Sequence, residues 1–367
     1  MVFQYTVHSV CIYFSSNNLS FLHQSNTNTN TNTTETMDLK IQRLPLVLLL
    51  ITVLCFNFNP TSGRVRVPSV VNARRPLIAL VMSYITEAEV VGSSGEFVPS
   101  SKTPFVDLYG RRFHLGSIRN VSVVYVLTGQ RRLNAGITVQ ILLDHFKVDG
   151  IVHYGTAGSA NNSMSFGDVS VPRYVAFTGS WTWTKFNSDL KNDDSSNVLR
   201  FGEYNIPNGG ENLLSGVKFK TEEFYAVGKS MEEVFWLEIN SKWLQIAQNL
   251  KVKLERCSNK TYCLPTTPKV VTGLKASTAD IFCDNAAYRQ FLFENFGVST
   301  VDEESSAIVM TAMSPGVPVI VFRGVSDLAG GEATWSSTSL MDLASINALK
   351  AAIEFIGVLG KQKSLAS

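Results

Sequence analysis

VSTVDEESSAIVMTAMSPGVPVIVFRGVSDLAGG, Val298 to Gly331, reads as strand, acidic cluster, helix, strand and polar turn. A short β-branched run leads into Asp302, Glu303 and Glu304. Ser305–Met313 follows, and its small and apolar residues suit a packed helix. Pro315 and Gly316 stop that helix. Val317–Phe322 is a continuous apolar run, the composition of a strand buried on both faces of a parallel sheet. Arg323, Ser326 and Asp327 are then expected just past its carboxyl end, where open α/β sheets bind ligands. Two acidic sites, each at the end of a buried strand, predict a pocket between them. The plainer reading is that Asp302, Glu303 and Glu304 cap the helix and stabilise its positive end. Both readings stay open on this stretch alone.

Working outward, the rest of the chain alternates strands and helices, which predicts an α/β fold with a mainly parallel sheet. Pro76–Met82 is the first buried strand, and Ser83–Val91 reads as the loop after it, carrying Glu87 and Glu89. Phe105–Arg119 looks like a hairpin turning at Tyr109–Arg112, and Val121–Leu127 is the next strand. Leu133–Phe146 has apolar residues at helical spacing. Asp149–Tyr154 is a buried strand leading into Gly155-Thr156-Ala157-Gly158, a small-residue turn of the kind that lets backbone amides approach an anion or a sugar. Trp181 and Trp183 read as core or interface aromatics, and Asn187–Gly210 as a polar surface insertion. Ser230–Leu250 has helical periodicity, and Lys269–Leu274 is a strand. Asn285–Phe296 is predicted to be a helix with Tyr288, Phe291, Leu292 and Phe296 on one face, and Leu340–Leu359 a closing amphipathic helix.

The amino terminus differs in kind. Residues 1–36 include the alternating Asn/Thr tract Asn26–Thr34, which has no apolar face to offset its ordering entropy. Residues 37–63 have the form of a signal peptide: Lys40 and Arg43, then the apolar Leu44–Phe56, then Thr61, Ser62 and Gly63. That core is shorter than the about 20 residues a spanning helix needs, so no stable membrane insertion is expected after cleavage. A single domain over 64–367, secreted or vacuolar, is the expectation. A formal charge of +2, without long basic runs, does not suggest nucleic acid. Of five cysteines, Cys257 and Cys263 flank a short polar loop able to close a disulfide, and Cys283 reads as a buried free thiol. No metal-ligand spacing is present, and sequons stand at Asn120, Asn161 and Asn259.

HYGTAG (153–158), GDVSVP (167–172), STADIF (277–282), VDEES (301–305) and FRGVSDLAG (322–330), in that order, resemble the purine and uridine phosphorylase superfamily. Within it the chain is most similar to 5′-methylthioadenosine/S-adenosylhomocysteine nucleosidases and to plant bark and vegetative storage proteins. The resemblance spans Pro76–Gly360 and implies a three-layer α/β/α sandwich around a twisted mixed sheet, assembled as a homo-oligomer. It implies a small-molecule nucleoside as partner and no cofactor, with phosphate as a possible co-substrate. Asp327, after Ser326, would act as general acid on the leaving purine. Glu304 would hold the ribose hydroxyls, Phe282 would stack on the base, and Glu89 would activate water. Thr156 and Gly158 would lie against the phosphate or water site, and Arg323 would join the binding residues.

Three positions depart from the family pattern. Glu303 stands where methionine is usual, His153 where phosphorylases carry a phosphate-binding arginine, and Gln130-Arg131-Arg132 where small residues follow Gly129. An arginine offers phosphate a fixed bidentate fork that a neutral histidine does not, so water is favoured as the acceptor. Two functions of different class follow. One is a purine nucleosidase or phosphorylase; the other is a storage protein with a residual pocket.

Overall fold

The computed structural model describes residues 77–185, 198–200, 215–258, 262–331 and 337–366. The Asn/Thr tract, the stretch 37–63 expected to be a signal peptide, most of the 187–210 insertion and the Asn259 sequon lie outside them. All described residues belong to one compact unit, Arg66–Ser367.

The first half contributes β1 (Leu77–Met82), α1 (Ile85–Ser93), β2 (Phe97–Pro99), β3 (Phe105–Leu108), β4 (Arg111–Ile118), β5 (Val121–Leu127), α2 (Arg132–His145) and β6 (Val148–Ser159). The middle contributes β7 (Val169–Phe177), β8 (Trp181–Trp183), β9 (Val198–Arg200), β10 (Gly216–Phe219), β11 (Glu222–Phe224), β12 (Glu232–Val234), β13 (Leu237–Glu238) and α3 (Ser241–Gln248). The chain then runs through β14 (Val270–Thr278), α4 (Ala286–Phe296), β15 (Val298–Asp302), α5 (Ser305–Met313), β16 (Val319–Leu328) and α6 (Ser337–Ala366).

These elements form a three-layer α/β/α fold around a mixed sheet of 11 strands. Its order is β13-β7-β14-β15-β6-β1-β5-β4-β2, with β3 beside β4 and β16 between β6 and β7. The pairings β7–β14, β14–β15, β15–β6, β6–β16 and β16–β7 return to their start, so one half of the sheet closes on itself. Strand β1 is buried along its whole length and lies parallel to both β5 and β6. Helix α6 packs on β16, β6 and α1, whereas α2 packs on α5. The window Leu340–Gln362 of α6 is long and apolar enough to span a membrane, but 67% of it is buried, as in a core helix. Val319, Ile320, Val321 and Phe322 are each buried. At about 1.5–3 kcal/mol per large apolar side chain, they anchor the strand that presents Arg323.

Five sequence expectations change. The glycine turn at 155–158 and the residues from Arg323 to Asp327 are not loops past strand ends. They are the paired ends of β6 and β16, in register from Phe322↔Tyr154 to Asp327↔Gly158. That register shifts at Ser326, a bulge that turns two successive residues, Ser326 and Asp327, toward the same cleft. Ser83–Val91 is mostly helical, with α1 starting at Ile85. Ser230–Leu250 holds two short strands before a helix of eight residues, whose start Asn240 fixes by accepting from the Trp243 amide. The aromatic face of α4 stands as expected: Tyr288, Phe291 and Phe296 surround the buried Leu292. Trp183 is 56% exposed and is no core residue. Cys257 and Cys263 form the disulfide, while Cys283 is free and only half-buried.

Candidate active site

The ends of β1, β6, β15 and β16, together with the start of α1, enclose a cleft of about 260 Å³. Arg323 lies beneath it, with 1% of its side chain exposed. Such burial is tolerable only because nearly every donor is used. Nε donates to Ser305 Oγ (3.1 Å) and Nη1 to the Thr156 carbonyl (3.0 Å). Nη2 meets Glu304 Oε2 at 3.0 Å and His153 Nε2 at 2.7 Å, and Asp302 Oδ2 lies 3.4 Å from Nε. His153 is wholly buried and its Nδ1 faces the Val81 carbonyl at 3.0 Å. With Nδ1–H donating there, Nε2 accepts from Arg323. Burial, reinforced by Arg323, lowers its pKa to about 3, so the ring is neutral. It supports Arg323 from below and does not line the cleft.

The acidic cluster splits between the two readings that the sequence left open. Asp302 Oδ1 accepts from the Glu304 and Ser305 amides (3.0 and 2.9 Å) and from Thr278 Oγ1 (2.8 Å), so it caps the start of α5. Glu304 is only 5% exposed and turns into the cleft, with Oε1 taking the Arg131 amide at 2.9 Å. Burial pushes its pKa up to about 7, against the pull of Arg323. Glu303 also lines the cleft, 4.0 Å from Arg131 Nε, and burial raises its pKa too. Asp327 receives the Ser326 hydroxyl at 2.7 Å, and burial raises its pKa despite that bond.

These shifts have a consequence for stability. The folded Glu304 carboxyl holds its proton to higher pH than the ordinary value of 4.5, so ionising it costs the fold stability. The melting temperature is expected to fall as pH rises from 4.5 to about 7. Glu304→Gln should flatten that slope in a pH series of thermal melts; an unchanged slope would remove Glu304 as its source. Asp302, whose pKa burial raises but Arg323 and the Ser305 bonds hold below the ordinary value, loses stability only at pH lower than this window.

Glu87 completes the site, and here the structure corrects the sequence. Glu89, expected to activate water, is exposed on α1 and does not line the cleft. Two residues apart on a helix point to opposite sides, whereas four apart share a face. Glu87 therefore turns inward with Val91. Its Oε2 accepts the Ser83 and Tyr84 amides at 2.9 Å, capping its own helix, while Oε1 accepts the Thr156 amide at 2.8 Å. A Cβ on Gly155 would lie 2.5 Å from both Glu87 Oε1 and Arg323 Nη1, so only glycine lets that acid and base share the space. Reading ITEAEVV as a helix would have found Glu87 from its spacing to Val91.

The remaining expected residues divide. Thr156, Gly158, Ser326 and Arg323 are gathered in the cleft, and a Cβ on Gly158 would sit 3.0 Å from Asp327 Oδ1. Phe282 stands at the mouth, 67% exposed. Ser83, Tyr84, Gln130, Cys283 and Met341 also line the cleft, and nothing in their local pattern marks them. Arg131 and Arg132 do not reach it: Arg132 pairs with Asp280 at 3.6 Å and lies over the Phe177 ring.

A family model described as the phosphorylase superfamily matches residues 78–357. Bark storage protein A of Populus deltoides is 41% identical over 282 residues, 76% of this chain and 88% of that protein. The 5′-methylthioadenosine/S-adenosylhomocysteine nucleosidase of Staphylococcus aureus (strain JH9) is 26% identical over 237 residues, 64% of this chain and 82% of that one. Among solved structures, the nucleosidase of that name from Neisseria meningitidis, in complex with methylthio-immucillin-A, superposes with a TM-score of 0.53 at 16% identity. The match covers 77% of this chain and all of that one.

Proposed function

We propose that this chain, which belongs to the phosphorylase superfamily, hydrolyses the N-glycosidic bond of purine nucleosides. The observation that carries this reading is the charge of the cleft. Among the described residues, Glu87, Asp302, Glu303, Glu304 and Asp327 line it against one cation, Arg323, whose guanidinium is already engaged. Such a site repels phosphate and favours a sugar that becomes positive as its bond to the base breaks. Glu87, with Thr156 and Arg323 around Gly155, takes a proton from water as the water oxygen bonds to the sugar's anomeric carbon. Asp327 gives its proton to the departing purine at N7, and Glu304 accepts the ribose hydroxyls. Phe282 supplies a face for the base at the mouth. The products are free base and free sugar, and the two proton transfers balance. Base release from adenosine, inosine and methylthioadenosine by the purified chain, followed chromatographically, tests the reading. Release in phosphate-free buffer is expected, and release from none of the three would overturn it.

The leader at 37–63 and the Cys257–Cys263 disulfide support a secreted or vacuolar protein, since disulfides persist in oxidising compartments. Of the two described sequons, Asn120, exposed in the turn between β4 and β5, is the better placed for a glycan. Leu133 and Ile137, one turn apart on α2, are 75% and 47% exposed and support a homo-oligomer. A second reading, storage of nitrogen with an inherited pocket, rests on the 41% identity to bark storage protein A. Storage needs no intact acid pair, so the retained Glu87 and Asp327 favour the enzyme.

A further inference from the structure

Arg131 occupies a backbone conformation that belongs to glycine. At φ 75° and ψ 162° it lies where a side chain collides with its own backbone, a region essentially reserved for glycine. The other described non-glycine residues with positive φ, Tyr109, Arg119, Asn120 and Ser215, fall between 49° and 63°, the range of ordinary left-handed turns. The strain sits against the cleft. The Arg131 amide donates to Glu304 Oε1 at 2.9 Å, and its side chain brings Nε to 4.0 Å from Glu303 Oε1. Glycine would present the same amide without strain. What glycine lacks is the guanidinium. Glu303 needs one: Arg323 pairs with Asp302 and Glu304, and among the described residues Arg131 is the cation within ion-pair range of Glu303.

We propose that Arg131 is a positioning residue for the two sugar-side acids, its amide orienting Glu304 while its guanidinium compensates Glu303. Rim and floor are thereby joined, and two unusual residues of this chain, Arg131 and Glu303, explain each other. Without the guanidinium, Glu303 would face Asp280 and Asp302 with only the committed Arg323 as counter-charge. It would then take up a proton at higher pH, changing the charge beside the ribose.

The proposal rests on the cleavage reading, and the test separates the two. Arg131→Gly keeps the amide and removes both strain and guanidinium. Its melting temperature is expected to rise, while kcat/KM for adenosine falls about two- to fivefold, the scale of an exposed ion pair. The acid limb of the pH profile should move to higher pH. Arg131→Lys should restore the limb without the gain in melting temperature. In a Glu303→Met background, Arg131→Gly should no longer move it. A more stable Arg131→Gly protein with unchanged kcat/KM and acid limb would overturn the proposal, and so would a loss of stability. Should the wild type release no base, the cleavage reading fails on its own. Calorimetric affinity for adenosine relative to adenine then carries the same comparison. A preference for adenosine that falls in Arg131→Gly supports the proposal, and one left unchanged overturns it.

Discussion

Glu87→Gln is expected to lower kcat for base release by about a hundredfold to ten-thousandfold, the usual contribution of a positioned general base, while Glu89→Gln leaves it unchanged. Both residues lie on α1, but only Glu87 turns into the cleft. The substitution has a structural side. Backbone amides bind both oxygens of Glu87, and a glutamine can satisfy only one set of them. A stability loss of about 1–3 kcal/mol is therefore expected. Thermal melts separate the two effects: the protein should still be folded at the assay temperature while turnover has collapsed. Near-normal kcat in Glu87→Gln, or an equal loss in Glu89→Gln, would contradict the assignment.

Asp327→Asn is expected to cost as much for natural purine nucleosides and to spare a substrate that needs no acid. The change is nearly isosteric, and the Ser326 hydroxyl retains a partner at its 2.7 Å position. What disappears is the proton for the leaving base. A 4-nitrophenyl riboside departs without one, so Asp327→Asn should cleave it at close to the wild-type rate, whereas Glu87→Gln should be impaired on both substrates. The raised pKa of Asp327, caused by burial, gives the wild type an alkaline limb as that acid loses its proton. The wild type should show that limb on purine nucleosides and lose it on the nitrophenyl substrate. Equal losses on the two substrate types would remove Asp327 from the role of acid.

Much of this was legible in the chain itself, for physical reasons that differ by residue. Val317–Phe322 announced a buried strand because a strand covered on both faces has no polar side to show. The acids of VDEES and the Ser326–Asp327 pair were visible because polar residues interrupt apolar runs there. Their division of labour was not visible. Asp302 caps and Glu304 faces the cleft only because β15 ends where it does against Arg323. The strand ends at Gly155–Gly158 and Arg323–Asp327 looked like loops, since glycine and polar residues punctuate loops too. Their pairing depends on contacts more than 160 residues apart in sequence, such as Thr156 with Arg323. The resemblance points to Glu89, and a loop reading carries no side-chain direction that would favour Glu87 instead; the helix supplies it. Within Ser230–Leu250, apolar spacing consistent with a helix was overridden by edge pairing of β13 with β7.

The central claim is that water, not phosphate, takes the sugar. The measurement that tests it most directly is the identity of the sugar product when adenosine is cleaved in saturating phosphate, read by phosphorus and proton NMR. Arg323 is committed to Glu304, Ser305 and Thr156, and His153 is buried and neutral, so free ribose is expected at a rate that phosphate does not change. Accumulation of ribose 1-phosphate would contradict the account and show that the cleft accommodates an anion among the carboxyl groups of Glu87, Asp302, Glu303, Glu304 and Asp327.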